Sequence, residues 1–252
     1  MAKETNVLEL SRDSGVMLIS HSGNSKGSGF FIDDQHVITC FHVVAALSLQ
    51  GSTLNWTLYP DLQVGLQLDE TIGATVVSVP TQADPSPLLQ DFAVVKLKSK
   101  PSKIFAKVQL AADKETLKVG DEVVFSGYPL NTPGMVTHRG MASGFDSSAS
   151  LIFVQAPVNK GNSGGALLNS QGHVVGIVNM REGGISQGLN ELMVYINQTS
   201  SQRKAQIMGI DIPQATRAII QTLDQYISTG IGYARSVKFV REYLAKNHGM
   251  LK

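Results

Sequence analysis

The spacing of apolar residues constrains this chain more than any other feature. Between residues 16 and 178 they come in short runs rich in Val, Ile, Phe and Thr, each closed by Gly, Pro, Asn or Asp. The runs Val16–Ser20, Gly29–Ile32, His36–Thr39, Leu54–Tyr59, Gly73–Val79, Ala93–Leu97, Glu122–Gly127, Met135–Ala142, Leu151–Gln155, Gly165–Leu168 and Val174–Val178 read as strands. Turn clusters such as Asp33–Asp34, Asn131–Gly134 and Asn169–Gly172 separate them. Strands this short and this frequent predict an all-β sandwich or barrel. A pair of six-stranded barrels needs about this much chain.

The texture changes after residue 181. Residues 183–206 are rich in Gly, Ser, Gln and Asn around one apolar run, Leu192–Ile196, and read as a long loop or a hairpin. Two helices are expected next. Pro213 suits a first helical turn, and Ala215, Ala218, Ile219, Thr222, Leu223 and Tyr226 then recur at helical spacing. Val237, Val240, Tyr243 and Leu244 do the same in a second helix that ends near Asn247–Gly249. Either the helices pack on the β core or they offer a docking surface for a partner.

Composition excludes several function classes. With 42% apolar and 16% charged residues the chain has enough apolar surface for a packed core. A net charge of +1 gives no strong pull on nucleic acid or an anionic membrane, so neither is an expected partner. One cysteine excludes an intrachain disulfide framework and a cysteine-rich zinc site. It suits a reducing compartment, and many periplasmic proteins as well. The first fifteen residues are broken by Lys3, Glu4, Glu9, Arg12 and Asp13, and no apolar stretch is long enough for a signal peptide or a membrane span. If Met1 is the true start, a cytoplasmic protein is expected.

Three short segments carry chemistry. In Gly161-Asn162-Ser163-Gly164-Gly165 the glycines permit a tight turn that aims the backbone N–H groups of Gly161 and Ser163 at one point, where an oxyanion would sit. Serine needs a general base. His42 is the candidate, set among apolar residues in Thr39-Cys40-Phe41-His42-Val43-Val44 directly after a strand. The base needs an acceptor that fixes its tautomer, and Asp91 heads the apolar run Phe92–Leu97. Taken singly, each has a plain structural reading: a loop, a buried core histidine, a strand-capping aspartate. Taken together they stand in the order His, Asp, Ser, which is the chymotrypsin order and not that of subtilisins or α/β-hydrolases.

On these segments the chain resembles a trypsin-like serine protease of the HtrA (Deg) type. Gly27–Ile32 with Val37–Val44 is similar to the family's approach to its histidine, and Asp91–Lys96 to its aspartate segment. Val119–Asp121 through Gly127–Pro129 resembles the stretch between later strands. Val158–Leu168 with Gly172–Ile177 resembles the serine segment and the hairpin after it. The resemblance covers about residues 14–182. It implies two packed six-stranded β-barrels with C-terminal helices and a site between the barrels. Residues 1–182 would be the protease core; residues 183–252 would hold a polar loop, a closing strand and helices packed on that core.

The resemblance also implies roles. Ser163 would be the nucleophile, His42 the general base and then acid, and Asp91 the group that orients His42. Gly161, Asn162 and Ser163 would make the oxyanion turn. Pro157, Val158 and Asn159, with Val178, Asn179 and Met180 of the strand after the hairpin, would line the substrate. No aspartate stands among them, so an apolar preference at P1 (the residue before the cut bond) is expected. No metal or organic cofactor is implied; His-Glu-x-x-His and Walker-type patterns are absent. The partner would be a protein or peptide substrate, with a regulatory protein at residues 183–252 as a further expectation. Three departures are expected: no PDZ module follows, residues 1–15 hold no aromatic residue of the kind that packs HtrA trimers, and Asn162 stands where digestive relatives have aspartate. Oligomeric state is left open, as is the choice between Met208–Leu223 and Ile231–Leu244 for the family's closing strand and helix. An active endopeptidase, a catalytically silent peptide-binding or adaptor module on the same fold, and a structural protein led by its helices are the three functional classes. The complete His-Asp-Ser set favours the first.

Overall fold

A computed structural model describes residues 6–50, 53–67, 70–79, 90–130, 132–148, 150–181, 192, 195–196, 206–207, 210–226 and 230–246. The expected loop at 183–206 and the helix end at Asn247–Gly249 fall almost wholly outside these residues. In chain order the first half comprises α1 (Val7–Ser14), β1 (Gly15–Ser20), β2 (Ser25–Phe31), β3 (His36–Thr39), α2 (Phe41–Val44), β4 (Ala45–Gln50), β5 (Thr53–Leu58), β6 (Gln63–Gly65), β7 (Thr71–Ser78) and β8 (Ala93–Leu97). The second half comprises β9 (Gln109–Leu110), β10 (Glu122–Gly127), β11 (Val136–Asp146), β12 (Leu151–Gln155), β13 (Ala166–Leu168), β14 (His173–Arg181), β15 (Gln206–Ile207), β16 (Ile210–Asp211), α3 (Ile212–Tyr226), β17 (Ile231–Ser236) and α4 (Lys238–Lys246).

Strands β1, β2, β3, β8, β7 and β6 close into one barrel. Val16, Leu18, Phe30, Val37, Ile38, Val64 and Val95 of its strands are all fully buried, on one face or the other. Strand β3, His-Val-Ile-Thr, is buried along its whole length, which is why it reads as a continuous run and not as an alternation. The second barrel runs β13, β10, β11, β12, β17, β14, and closes because β13 also pairs with β14; β9 adds to β14 in parallel. Val123, Phe125, Val154, Leu167, Val178 and Ala234 form its core. This is the double-barrel architecture expected from the sequence.

The closing element is Ile231–Ser236. It lies between β12 and β14, with Ala234 opposite both Ile152 and Val178. Helix α4 follows at once. Its Val240 is fully buried, and Phe239, Tyr243 and Leu244 pack on the first barrel's core. The Tyr243 ring lies 5.7 Å from that of Phe92, the residue after Asp91. The Arg241 guanidinium donates to the Ala111 carbonyl at 2.6 Å. The last described segment thus completes one barrel and braces the other. Helix α3 starts as its Pro213 predicts, with the Gln214 N–H capped by Asp211 at 3.0 Å.

Helix α1 and strands β4, β6 and β9 are among the elements that escape the strand and helix patterns. Helix α1 is capped by the Asn6 side chain and packs on the second barrel, where Ser11 Oγ meets Ser126 Oγ at 2.8 Å. Strands β6 and β9 are too short to show a period. Strand β4 follows α2 within one unbroken apolar stretch, with no turn residue between them. No helix among the described residues is long and apolar enough to cross a membrane.

Val240→Ala tests whether α4 belongs to the cooperative unit. Truncating a fully buried valine costs about 2 kcal/mol, read as a lower denaturant midpoint at unchanged m. An unchanged midpoint would detach the helix from the core.

Candidate active site

Strands β3 and β8 are antiparallel neighbours, with Thr39 opposite Ala93. The end of β3 therefore lies beside the start of β8. Cys40 to Val44 leave β3 as a single helical turn, and Asp91 enters just before β8. That pairing brings His42 to Asp91. His42 Nδ1 stands 2.8 Å from Asp91 Oδ2, and the His42 backbone N–H donates to Asp91 Oδ1 at 3.0 Å. The Asn179 carboxamide of β14 donates to Oδ2 as well. Asp91 is 2% exposed, and a buried carboxylate needs such donors. Its backbone is left-handed, at φ 39°, a strained conformation held by these contacts. The His42 side chain is one-third exposed, at 33%.

The turn at 161–165 belongs to the second barrel but is clamped by the first. Ser28 of β2 donates its Oγ to the Gly161 carbonyl at 2.6 Å and its N–H to the Ser163 carbonyl at 2.8 Å. The same Oγ accepts from the Tyr128 N–H at 2.9 Å. Gly161 and Gly164 have φ of 97° and 96°, and a Cβ on Gly164 would overlap the Ser28 carbonyl, so only glycine fits. The Asn162 N–H is used within the turn, donating to Asn159 O at 3.0 Å, and the Gly164 N–H donates to Val178 O at 2.7 Å. The N–H groups of Gly161 and Ser163 have no protein acceptor among the described residues, which leaves this pair free to bind an oxyanion. Asn162 is therefore a turn residue and not a third donor. Its side chain is fully buried against Gly127.

The Ser163 hydroxyl is directed along the cleft. It donates to the Asn179 carbonyl at 2.6 Å and makes no hydrogen bond to His42. Cys40 is fully buried beneath the pair, with its Sγ 3.3 Å from Val178 O. Burial pushes the Cys40 thiol well up, and the Asp91 carboxylate adds to the effect. The thiol thus keeps its proton at neutral pH and is no nucleophile.

The expected substrate-lining residues separate into two groups. Val158 is buried against Gly232 of β17, whose missing side chain makes room for it. Pro157 is exposed and Asn159 half-buried at the same wall. On β14 the Val178 backbone is committed to the turn, its N–H to Gly165 O and its carbonyl to Gly164. Asn179 spans the cleft by side chain and carbonyl, and Met180 pairs through its backbone with Tyr233. The Met180 side chain lies outside the described residues. Sequence reasoning did not single out Ser28 as functional. Its position between Gly27 and Gly29 in a strand is the only signal, and it marks close approach of another backbone.

Comparison with known proteins identifies the family. Residues 27–177 match the trypsin-like peptidase domain family. A Do-like protease of Arabidopsis thaliana is 32% identical over 182 residues, 68% of this chain and 39% of that protein. A periplasmic DegP-like serine endoprotease of Rhizobium meliloti is 35% identical over 159 residues, 61% of this chain and 27% of that protein. The chain therefore spans well under half of these curated relatives. The serine endoprotease of Yersinia pestis superposes with a TM-score of 0.60 at 18% identity, covering 98% of this chain and 66% of that one. Rv3671c of Mycobacterium tuberculosis, as an inactive Ser343Ala mutant, gives 0.56 at 20% identity over 96% and 89%. At those identities the two structures speak for the fold alone. With a family match over more than half its length, the chain belongs to the trypsin-like peptidase family and is similar to its Do- and DegP-like members.

Proposed function

We propose that the protein is a serine endopeptidase acting through Ser163, His42 and Asp91. The observation that carries the reading is the His42–Asp91 pair set against a glycine turn with two unengaged N–H groups. A peptide bound along β14 presents its backbone N–H to the Asn179 carbonyl and displaces the Ser163 hydroxyl from it. The hydroxyl turns to His42 Nε2, which takes its proton as Oγ attacks the scissile carbonyl. Asp91 holds the Nδ1–H tautomer and stabilises the imidazolium. The Gly161 and Ser163 amides bind the oxyanion. His42 then protonates the leaving amine, and water hydrolyses the acyl-enzyme by the same route in reverse. The described residues 231–246 belong to this unit, because β17 closes the second barrel and α4 packs on the core of the first.

Specificity follows from the Val158–Gly232 contact. The valine side chain fills the space beside Gly232, and Pro157, Val158 and Asn159 carry no charge, which supports a small or medium apolar P1 residue. Peptide-library cleavage should show such residues before the cut bond. Dominant cleavage after Lys or Arg would refute this.

A fluorophosphonate probe tests the catalytic reading directly. The native chain should label at Ser163, and Ser163→Ala should abolish labelling. His42→Ala should slow it by a factor on the order of 10³ or more. Labelling unaffected by both changes would reduce the chain to a peptide-binding or adaptor protein.

Asn179 joins both halves of the site, so its substitution has two readouts. Asn179→Ala removes a donor from a buried carboxylate and should cost about 1–3 kcal/mol of stability. Asn179→Asp sets two carboxylates face to face. Its destabilisation should be larger at pH 7 than at pH 4, where one of the pair takes up a proton. Equal effects at both pH values would mean that residue 179 does not face Asp91.

A further inference from the structure

Cys40 is the only cysteine in the chain, and it belongs to a group of three metal-ligating side chains. Its Sγ, a ring nitrogen of His42 and a carboxylate oxygen of Asp91 all lie within 4.8 Å of one another. Ligand atoms around a tetrahedral zinc ion are about 3.3–3.6 Å apart, given bonds of about 2.0 Å to nitrogen or oxygen and about 2.3 Å to sulfur. The Nδ1···Oδ2 edge, at 2.8 Å, needs to open by about half an ångström, and the sulfur edges, within 4.8 Å, close by at most about 1.3 Å. The three residues stand on adjoining ends of β3 and β8, so the strand pairing itself gathers the ligands. Cys40 and Asp91 are buried while His42 is partly exposed, so the imidazole is the side of the group that meets solvent.

We propose that Cys40, His42 and Asp91 form an inhibitory site for a thiophilic divalent cation, Zn²⁺ above all. Thiolate, imidazole and carboxylate suit zinc and do not suit the hard ions Mg²⁺ and Ca²⁺. A thiolate and a carboxylate balance the two positive charges, so the buried site is neutral overall. Water fills the fourth position. Binding releases the thiol proton to solvent, and the metal takes the Nδ1 lone pair, which forces the remaining ring proton onto Nε2. His42 then has no lone pair to offer Ser163. The inhibition rests on the proposed role of His42 as general base, whereas the binding does not.

Titration of the Ser163→Ala protein with Co²⁺ tests the binding. With one cysteine in the chain, a thiolate-to-cobalt charge-transfer band can come only from Cys40. A band that saturates at one Co²⁺ per chain and is displaced by Zn²⁺ is expected. His42→Ala in the same background should weaken the affinity on the order of 10-fold or more. No band, or a band indifferent to His42, would overturn the site even if Cys40→Ser proved unable to fold. In the active protein, Zn²⁺ should stop peptide hydrolysis reversibly on chelation. Cys40→Ser, measured against its own metal-free rate, should need on the order of 10-fold more zinc. Equal zinc sensitivity would overturn the inhibition. A clear cobalt band in a chain without any hydrolysis would instead sink the peptidase reading and leave the metal site standing.

Discussion

The contact between β2 and the glycine turn at 161–165 is what the rest of the site depends on. Ser28 comes from the first barrel, yet its N–H and Oγ hold the carbonyls of Ser163 and Gly161 in the second. Its own carbonyl accepts the Thr39 hydroxyl at 2.6 Å at the end of β3, next to Cys40 and three residues before His42. One serine therefore relates the position of the turn to the position of the histidine strand. Each such neutral bond is worth about 1 kcal/mol net, but leaving any of these buried groups unpaired costs about 1–3 kcal/mol. The two barrels cannot slide past one another without breaking several at once.

A second tie runs the other way. Asn179 leaves the second barrel and donates to the carboxylate of Asp91 in the first. With the two His42 bonds, this gives a buried aspartate in a strained left-handed conformation a sufficient set of donors. Behind it, Tyr243 of α4 packs on Phe92 and limits how far the Asp91 segment can retreat. Since α4 follows directly on β17, the strand that closes the second barrel also delivers the brace for the first.

The sequence was most readable where one residue type had to meet one local demand. Strands β3, β8, β10 and β12 have the bounds that their apolar runs predict, because turn residues border them closely. The glycine turn was legible for the same reason: its two left-handed positions exclude other side chains. Asn162 and Val178 were harder. Whether a turn residue points its N–H outward, or a strand residue keeps its backbone free, depends on partners distant in the chain that leave no local pattern. Strand β17 escaped prediction as a strand in its own right because Gly232 and Arg235 interrupt its apolar alternation, although the stretch beginning at Ile231 was one of two candidates for the closing element. Gly232 is there to admit Val158, a demand set by a residue more than seventy positions earlier.

The direction of the Ser163 hydroxyl connects these packing facts to turnover. On the proposed mechanism, the Asn179 carbonyl has two suitors, the hydroxyl of the free protein and the backbone N–H of a bound peptide. A neutral hydrogen bond contributes about 1 kcal/mol net, so a peptide that supplies an equivalent donor displaces the serine at little net cost. A small molecule lacking that N–H, such as a fluorophosphonate, must break that one bond uncompensated, at a cost of about 1 kcal/mol. The arrangement therefore favours extended peptides modestly over other acylating compounds before any chemistry begins. It does so with main-chain groups alone, independently of the side chain that the Val158 wall selects. On that mechanism Asn179 is the residue through which both conditions pass, since its carboxamide holds the Asp91 carboxylate while its carbonyl holds the Ser163 hydroxyl until a backbone takes its place.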